Sequence, residues 1–278
     1  MNNDAALPPR RRAGILLHPT SLPGADHGGD LGDEAFRFIE FLSAAGMGVW
    51  QMLPLGPTHA DGSPYQCLSI HAGNPALISL GRLQQWGWLA ADDVTRAHTN
   101  REHRQVCLRN AHQGYLLQAT PQESTAYARF LSHHAHWLDD YALYQALRQE
   151  HGDQPWWSWP AALRDRVPGK LNKARARLAP VMQQVRFEQY IFFRQWHELR
   201  QYAGTHGVWL FGDMPIFVAH DSADVWAQRD DFMLDEHGQP TVVAGVPPDY
   251  FSATGQRWGN PLYNWQRMQA EGFRWWLT

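Results

Sequence analysis

The chain has 278 residues, with 24 lysines and arginines against 27 aspartates and glutamates, so its formal net charge is −3. Nucleic-acid-binding proteins usually present a basic face, and the one dense basic cluster in the sequence is Arg10, Arg11 and Arg12. A nucleic-acid partner is therefore not expected. A hydrophobic content of 44% excludes a disordered chain, and this length is sufficient to bury a sizeable core.

Targeting signals and cysteines indicate the compartment. Residues 1–14 contain no apolar run, so no secretory leader is predicted, and no stretch approaches the length of a membrane-spanning helix. Cys67 and Cys107 match no metal or redox spacing, which favours a reducing compartment, with a single bridge between them left open as the alternative. We expect a cytoplasmic protein without a membrane partner.

The first third of the sequence predicts a parallel crossover unit. Residues 14–17 form a short apolar run, and residues 18–32 form a loop rich in proline, serine and glycine. Asp33 is the predicted N-cap of an amphipathic helix that stops at Gly46. A second apolar run at 49–53 follows at once. Strand, helix and strand in about forty residues is typical of parallel α/β proteins, so the predicted fold class is α/β.

The middle of the chain reads as helical. Apolar residues recur at helical spacing over 122–150 and again over 173–203. Pro180 either kinks the second helix or marks its true start. We interpret residues 82–205 as a largely helical insertion.

Strand character returns at residues 208–213, and Pro215, which cannot donate to a sheet ladder, predicts that the strand ends near Asp213. Residues 235–238 read as the turn of a hairpin between two short apolar strands. Residues 245–260 are rich in turn residues, and a helical pattern runs from there to the end of the chain.

Two carboxylates are candidates for chemistry. Asp213 ends an apolar strand, and the carboxyl ends of parallel strands carry the active sites of α/β proteins, although a turn aspartate bonded to local backbone is an equal alternative. Asp249 follows a diproline and precedes Tyr250 and Phe251. Turn chemistry is the default interpretation of Asp249.

Aromatic residues in glycine- and proline-rich loops are the second set of candidates. Tyr65 follows Ser63 in one such loop, and Trp258 precedes Asn260 in another. Flat rings with a polar edge suit sugars, which present one C–H face and a rim of hydroxyls. Core packing is the default for most of the 14 tryptophans, and binding competes with it for these loop aromatics.

Other chemistries have no support in the sequence. His133, His134 and His136 lack the spacing of a zinc site, so no metal is expected. The serines lack a GxSxG context, and neither a Walker loop nor GxGxxG occurs, so no nucleophilic serine and no nucleotide cofactor are predicted.

Several motifs in order resemble the amylomaltases, which are 4-alpha-glucanotransferases. They lie at residues 14–23, 50–58, 63–66, 72–75, 212–219, 246–251 and 255–263. The resemblance implies a (β/α)8 barrel of the TIM type, interrupted by helical segments. It also implies retaining transfer of alpha-1,4-glucan segments from a malto-oligosaccharide donor to glucose or another malto-oligosaccharide, with no cofactor.

The same resemblance assigns site residues. Tyr65 matches a residue that stacks on the donor sugar, and Asp213 matches one that hydrogen-bonds it, while residues 249–251 match a mobile loop over the cleft. The full set expected to bind substrate is Ser63, Tyr65, Asp213, Asp249, Tyr250, Phe251, Trp258 and Asn260.

The catalytic carboxylates of the family are absent from this sequence. Its nucleophile lies in an Arg-Ile-Asp-His-Phe-type strand, and neither this motif nor the Glu-Asp-Leu and Thr-His-Asp-Asn motifs occurs. We expect all three motifs to lie beyond Thr278. The chain is then expected to be an inactive N-terminal part of the enzyme, with the C-terminal half as a further partner.

The sequence thus predicts three regions of the chain. Residues 1–81 contain the first barrel strands, residues 82–205 form the helical insertion, and residues 206–278 contain the third strand, a hairpin and the lid loop. That gives about three of eight barrel strands. A non-catalytic glucan-binding protein is the alternative function.

Overall fold

The computed structural model describes residues 11–24, 28–97 and 101–277. Its strands are β1 (Gly14–Leu16), β2 (Val49–Gln51), β3 (Trp209–Phe211), β4 (Val243–Val246) and β5 (Gln256–Pro261). Its α-helices are α1 (Asp33–Ala44), α2 (Leu80–Gln85), α3 (Ala91–Ala97), α4 (Arg101–Gln118), α5 (Pro121–Glu150), α6 (Ala161–Arg164), α7 (Pro168–Arg177), α8 (Ala179–Thr205), α9 (Ala223–Ala227), α10 (Trp265–Ala270) and α11 (Arg274–Leu277). Residues 1–10 and Thr278 lie outside the described residues, and with them the predictions on a secretory leader and on Arg10.

A parallel sheet in the order β1-β2-β3 sets the fold class. Gly14 lies opposite Val49, and Trp50 lies opposite Leu210. A Cβ on Gly14 would lie 2.6 Å from the Val49 carbonyl oxygen, so the close approach of β1 to β2 requires glycine there. Trp50 is fully buried, and its Nε1 donates to the Leu17 carbonyl at 2.8 Å. The predicted α/β class is confirmed.

Helix α1 joins β1 to β2 and differs from its prediction at one end. Gly32 is the N-cap and Asp33 is the first helical residue, so the predicted N-cap is wrong. The Asp30 carboxylate accepts the Gly32 N–H at 2.8 Å and satisfies this backbone donor, while the Asp33 charge lies at the positive end of the helix dipole. Gly46 ends the helix as predicted, with φ +73° and a bond to the Ser43 carbonyl.

Long helices fill the region between β2 and β3. Helix α5 matches its prediction and begins with a capping box, in which Thr120 Oγ1 accepts the Glu123 N–H and the Glu123 carboxylate accepts the Thr120 N–H. The structure has two helices in place of the single helix predicted over 173–203, because α7 ends at Arg177 and α8 begins at Ala179. Pro180 then lies in the first turn of α8, so the interpretation as a true start is confirmed.

The region after β3 departs most from its prediction. Strand β5 pairs antiparallel with β4 inside the stretch expected to be irregular turns. Its glycine, asparagine and proline have low strand propensity, so local pattern could not reveal it. The hairpin predicted around 235–238 keeps its turn but has a single bridge, Leu234 to Pro240. The pairing does not extend further because the Met233 N–H donates to the Leu262 carbonyl, so this segment also pairs with the residues after β5.

The predicted C-terminal helix is also interrupted. Gly272 and Phe273 have positive φ angles and separate α10 from α11. The Trp275 ring packs 5.4 Å from the Tyr263 ring, while Leu277 is 81% exposed.

The described residues form two compact units. One contains those of Met1–Pro54, Pro75–Ala119 and Ile191–Met214, and the other those of Leu55–Asn74, Thr120–Tyr190 and Pro215–Thr278. The first buries Leu31, Ile39, Leu42, Trp50 and Leu77, and the second buries Tyr141, Tyr144, Trp156, Phe187 and Trp226. The division at residues 81 and 205 stays a prediction. None of the described helices has the length and apolar character needed to cross a membrane.

Candidate functional site

The loop that presents Tyr65 is closed at its base. An antiparallel bridge joins Thr58 to Cys67. Inside the loop the Ser63 N–H donates to Asp61 Oδ1 at 3.1 Å, which is an Asx turn. Tyr65 is left 46% exposed, so this closed loop presents an aromatic ring to solvent.

A buried amide ties this loop to two other segments, and we call the arrangement the Asn260 clamp. Gln66 Nε2 donates to Asn260 Oδ1 at 3.1 Å, and Asn260 Nδ2 donates to the Val218 carbonyl at 3.0 Å. Asn260 is only 4% exposed. Nearby, the Tyr263 hydroxyl donates to the Ile216 carbonyl at 2.8 Å. The clamp thus joins the Tyr65 loop, the segment around residue 218 and β5.

Between β4 and β5 lies the hairpin tip, residues 247–255. Asp249 Oδ1 accepts the N–H groups of Phe251 at 2.9 Å and Ser252 at 2.8 Å. Tyr250 is 98% exposed and Phe251 is 89% exposed, with their rings edge-to-face at 5.6 Å. Asp249 therefore shapes a turn that directs two aromatic rings into solvent.

Trp258 and Asp213 belong to other segments of the chain. Trp258, on β5, is 43% exposed, and its Nε1 donates to Gln256 Oε1 at 3.0 Å. Its ring lies 6.1 Å from the Phe217 ring. Asp213 belongs to the first unit, where it follows β3 and is exposed. In the second unit, the structure connects Asn260 to the Tyr65 loop and places Asp249, Tyr250 and Phe251 in one turn.

Sequence reasoning missed a charged centre at Asp221. Tyr144 donates its hydroxyl to Asp221 Oδ1 at 2.7 Å, and the Arg148 guanidinium pairs with the other carboxylate oxygen. Burial raises the pKa of Tyr144 well above its usual value. Burial also lowers the pKa of His59, a shift that the Asp221 charge opposes. More than 70 residues separate Asp221 from both partners on α5, so no local motif could reveal the centre.

These contacts fix the backbone of the loops that carry the exposed rings. Among the residues that the structure describes, no three histidines, cysteines or carboxylates are placed to bind a metal ion. Exposed rings, carboxylates and amides can stack on a ligand and hydrogen-bond it.

A family model described as 4-alpha-glucanotransferase matches residues 17–278. This chain belongs to the 4-alpha-glucanotransferase family. It is 48% identical over 273 residues to the 4-alpha-glucanotransferase of Thermus thermophilus and 44% identical over 279 residues to that of Synechocystis sp.. Both alignments cover 96% of this chain and 55% of the relative.

A solved structure shows the same fold. The amylomaltase from Streptococcus agalactiae, in complex with acarbose, matches with a TM-score of 0.91 at 35% identity. The match covers 96% of this chain and 56% of that one. The predicted membership of the 4-alpha-glucanotransferase family is confirmed, and the chain spans about half the length of the relatives it matches.

Proposed function

We propose that the second unit binds malto-oligosaccharides through the Tyr65 loop and the hairpin tip. Membership of the 4-alpha-glucanotransferase family supports the substrate class. The structural support is the tip, where Tyr250 and Phe251 are held almost fully exposed by a turn that uses Asp249. Exposed large aromatics on a shaped loop suit the C–H face of a sugar ring.

The other predicted residues take separate parts in this proposal. Tyr65 stacks on the donor sugar and Trp258 extends the aromatic surface, while Ser63 fixes the turn beside Tyr65. In the first unit, Asp213 hydrogen-bonds a sugar hydroxyl. Asn260 acts through Gln66 as a positioning residue, because its side chain is buried and already bonded.

The reaction in which these residues serve is retaining transfer of alpha-1,4-glucan segments on a (β/α)8 barrel. A donor malto-oligosaccharide is cleaved by a carboxylate nucleophile and a carboxylic acid, and the enzyme-bound part passes to glucose or another chain. Transfer competes with hydrolysis, so a hairpin tip that covers the sugar and excludes water favours transfer.

We further propose that the 278-residue chain alone binds glucan without transferring it. The support is sequence: the three motifs that carry the nucleophile, the acid and the third aspartate do not occur in it. A polypeptide that carries those motifs is the partner in this proposal. The test is to incubate the purified chain with maltotriose. We expect no glucose and no longer dextrins, and either product would contradict the proposal.

We also propose that the protein resides in the reducing environment of the cytoplasm. Cys67 and Cys107 are both free and buried, which suits a compartment that keeps thiols reduced.

A further inference from the structure

A cavity of about 310 Å³ lies in the second unit, and none of the residues predicted to bind sugar lines it. Its walls come from α5, α9, α11 and the segment around His71. Ligand pockets for small molecules span roughly 300–1,000 Å³, so this cavity has the size for a small ligand.

One wall of the cavity is aromatic. The His71 ring lies 6.0 Å from the Trp137 ring at an interplanar angle of 23°, and 6.5 Å from the Trp275 ring at 70°. Burial lowers the pKa of His71 to about 4, an effect that neighbouring His136 increases, so the imidazole is neutral near pH 7. The wall therefore offers flat rings and neutral polar edges.

Beside His71 the lining is polar and buried. The Asp224 side chain is 6% exposed, and its Oδ2 accepts the Ile70 N–H at 3.1 Å. Its Oδ1 lies 3.7 Å from His71 Nε2, which is longer than a hydrogen bond. The Ser69 hydroxyl and the backbone N–H of Asp224 itself also donate to this carboxylate. Because a carboxylate accepts about four hydrogen bonds, Asp224 retains capacity for a further hydroxyl donor.

Arginines neutralise the other carboxylates around the cavity. Asp140 Oδ1 lies 2.8 Å from Arg166, and Glu271 lies 3.0 Å from Arg267. Arg267 also reaches Asp231 at 3.3 Å. Donors and acceptors are thus mixed, and no strong field of one sign attracts an organic cation. This balance favours a neutral ligand rich in hydroxyl groups.

We propose that the cavity binds one or two glucose units at the end of a malto-oligosaccharide, with the sugar ring against Trp137 and Trp275 and one hydroxyl bonded to Asp224. The choice of sugar rests on the proposed function, whereas the residues are different from those of the Tyr65 loop and hairpin tip. The cavity then holds the end of a glucan chain without cleaving it.

The test uses the whole chain labelled with 5-fluorotryptophan, with the Trp275 and Trp258 signals assigned through Trp→Phe variants. Maltose is titrated and ¹⁹F shifts are followed. We expect the Trp275 signal to shift saturably. Ala227→Phe, which fills the cavity from α9, weakens that response about tenfold or more, whereas Ala128→Phe, at an exposed alanine of α5, leaves it unchanged.

Gln228→Ala removes a cavity-lining side chain that is solvent-exposed, so this variant should fold even if Ala227→Phe misfolds. We expect it to bind maltose several-fold more weakly than the wild type. An unchanged maltose response in a folded Ala227→Phe or in Gln228→Ala overturns the proposal. So does a Trp275 response to tetramethylammonium in place of maltose. A Trp275 response without a Trp258 response upholds the cavity and contradicts the proposed function instead.

Discussion

Asn260, at the centre of the clamp, and the hairpin tip lie close together in sequence but are held in different ways. In the clamp, one buried amide links segments as far apart as Gln66 and Asn260, which are separated by 194 positions. In the tip, the Asp249 carboxylate bonds the two N–H groups that follow it, and the aromatic rings face solvent. From this difference we expect the clamp to contribute more to stability, and the tip to contribute more to the sugar binding proposed above.

The largest effect should follow from breaking the clamp. Asn260→Leu leaves the buried Val218 carbonyl and the half-buried Gln66 amide without their partner, so we expect the free energy of unfolding to fall by about 2–4 kcal/mol. Urea unfolding measures it. The control is Asn172→Leu on the exposed face of α7, expected to change stability by less than about 0.5 kcal/mol. Equal effects of the two substitutions would contradict the role of the clamp.

The buried His71–Asp224 pair should make opposing contributions to pH dependence. Burial raises the pKa of Asp224 to about 6, so the folded state binds this proton more tightly and stability falls as pH rises from about 4 to 6. Burial lowers the pKa of His71 to about 4, so the unfolded state binds that proton first and stability rises between about pH 4 and 6.5.

In the wild type these slopes largely cancel. Asp224→Asn should therefore steepen the rise of stability with pH, and His71→Phe should produce a fall, each by about 2 kcal/mol across the window. Thermal or urea unfolding at pH 4, 5 and 6.5 measures both. The other charged groups facing the cavity, His136, Asp140, Asp231, Glu271 and Arg274, are common to both variants. Slopes of the same sign in the two variants would contradict this account.

A double substitution tests the tip. Tyr250→Ala with Phe251→Ala removes side chains that are almost fully exposed, so stability should stay within about 0.5 kcal/mol of the wild type. Affinity for maltoheptaose should fall about tenfold, or about 1.4 kcal/mol. The control is Leu117→Ala, at another exposed apolar residue, which should change neither quantity. A tip variant that unfolds more easily than the wild type but binds maltoheptaose normally would show that the tip contributes to stability and not to sugar binding.

The smallest effect distinguishes the two interpretations of Asp249. Asp249→Ala loses two accepted hydrogen bonds at an exposed turn and should cost about 0.5–1 kcal/mol, whereas Asp249→Asn keeps an acceptor oxygen and should cost less. Calorimetric titration with maltoheptaose then separates the roles. Unchanged affinity in Asp249→Asn supports the turn role, and a loss as large as that of the tip variant supports direct contact with sugar.

The sequence was sufficient where local pattern decides structure. The apolar runs of β1, β2 and β3, the helical period of α5 and the glycine stop of α1 all follow from neighbouring residues. Strand β5 was missed because long-range pairing with β4 holds it against weak propensity. The bonds of Asp221, Asn260 and the cavity side chains join positions far apart in sequence, so the family resemblance could mark Asn260 without showing that its amide is buried.

The most direct test is calorimetric titration of the 278-residue chain with maltoheptaose, beside the Tyr65→Ala variant. Our account predicts saturable binding by the wild type and binding weakened about tenfold in Tyr65→Ala, because the exposed ring of Tyr65 stacks on the sugar. Absence of saturable heat, or equal affinity in the two proteins, would contradict it.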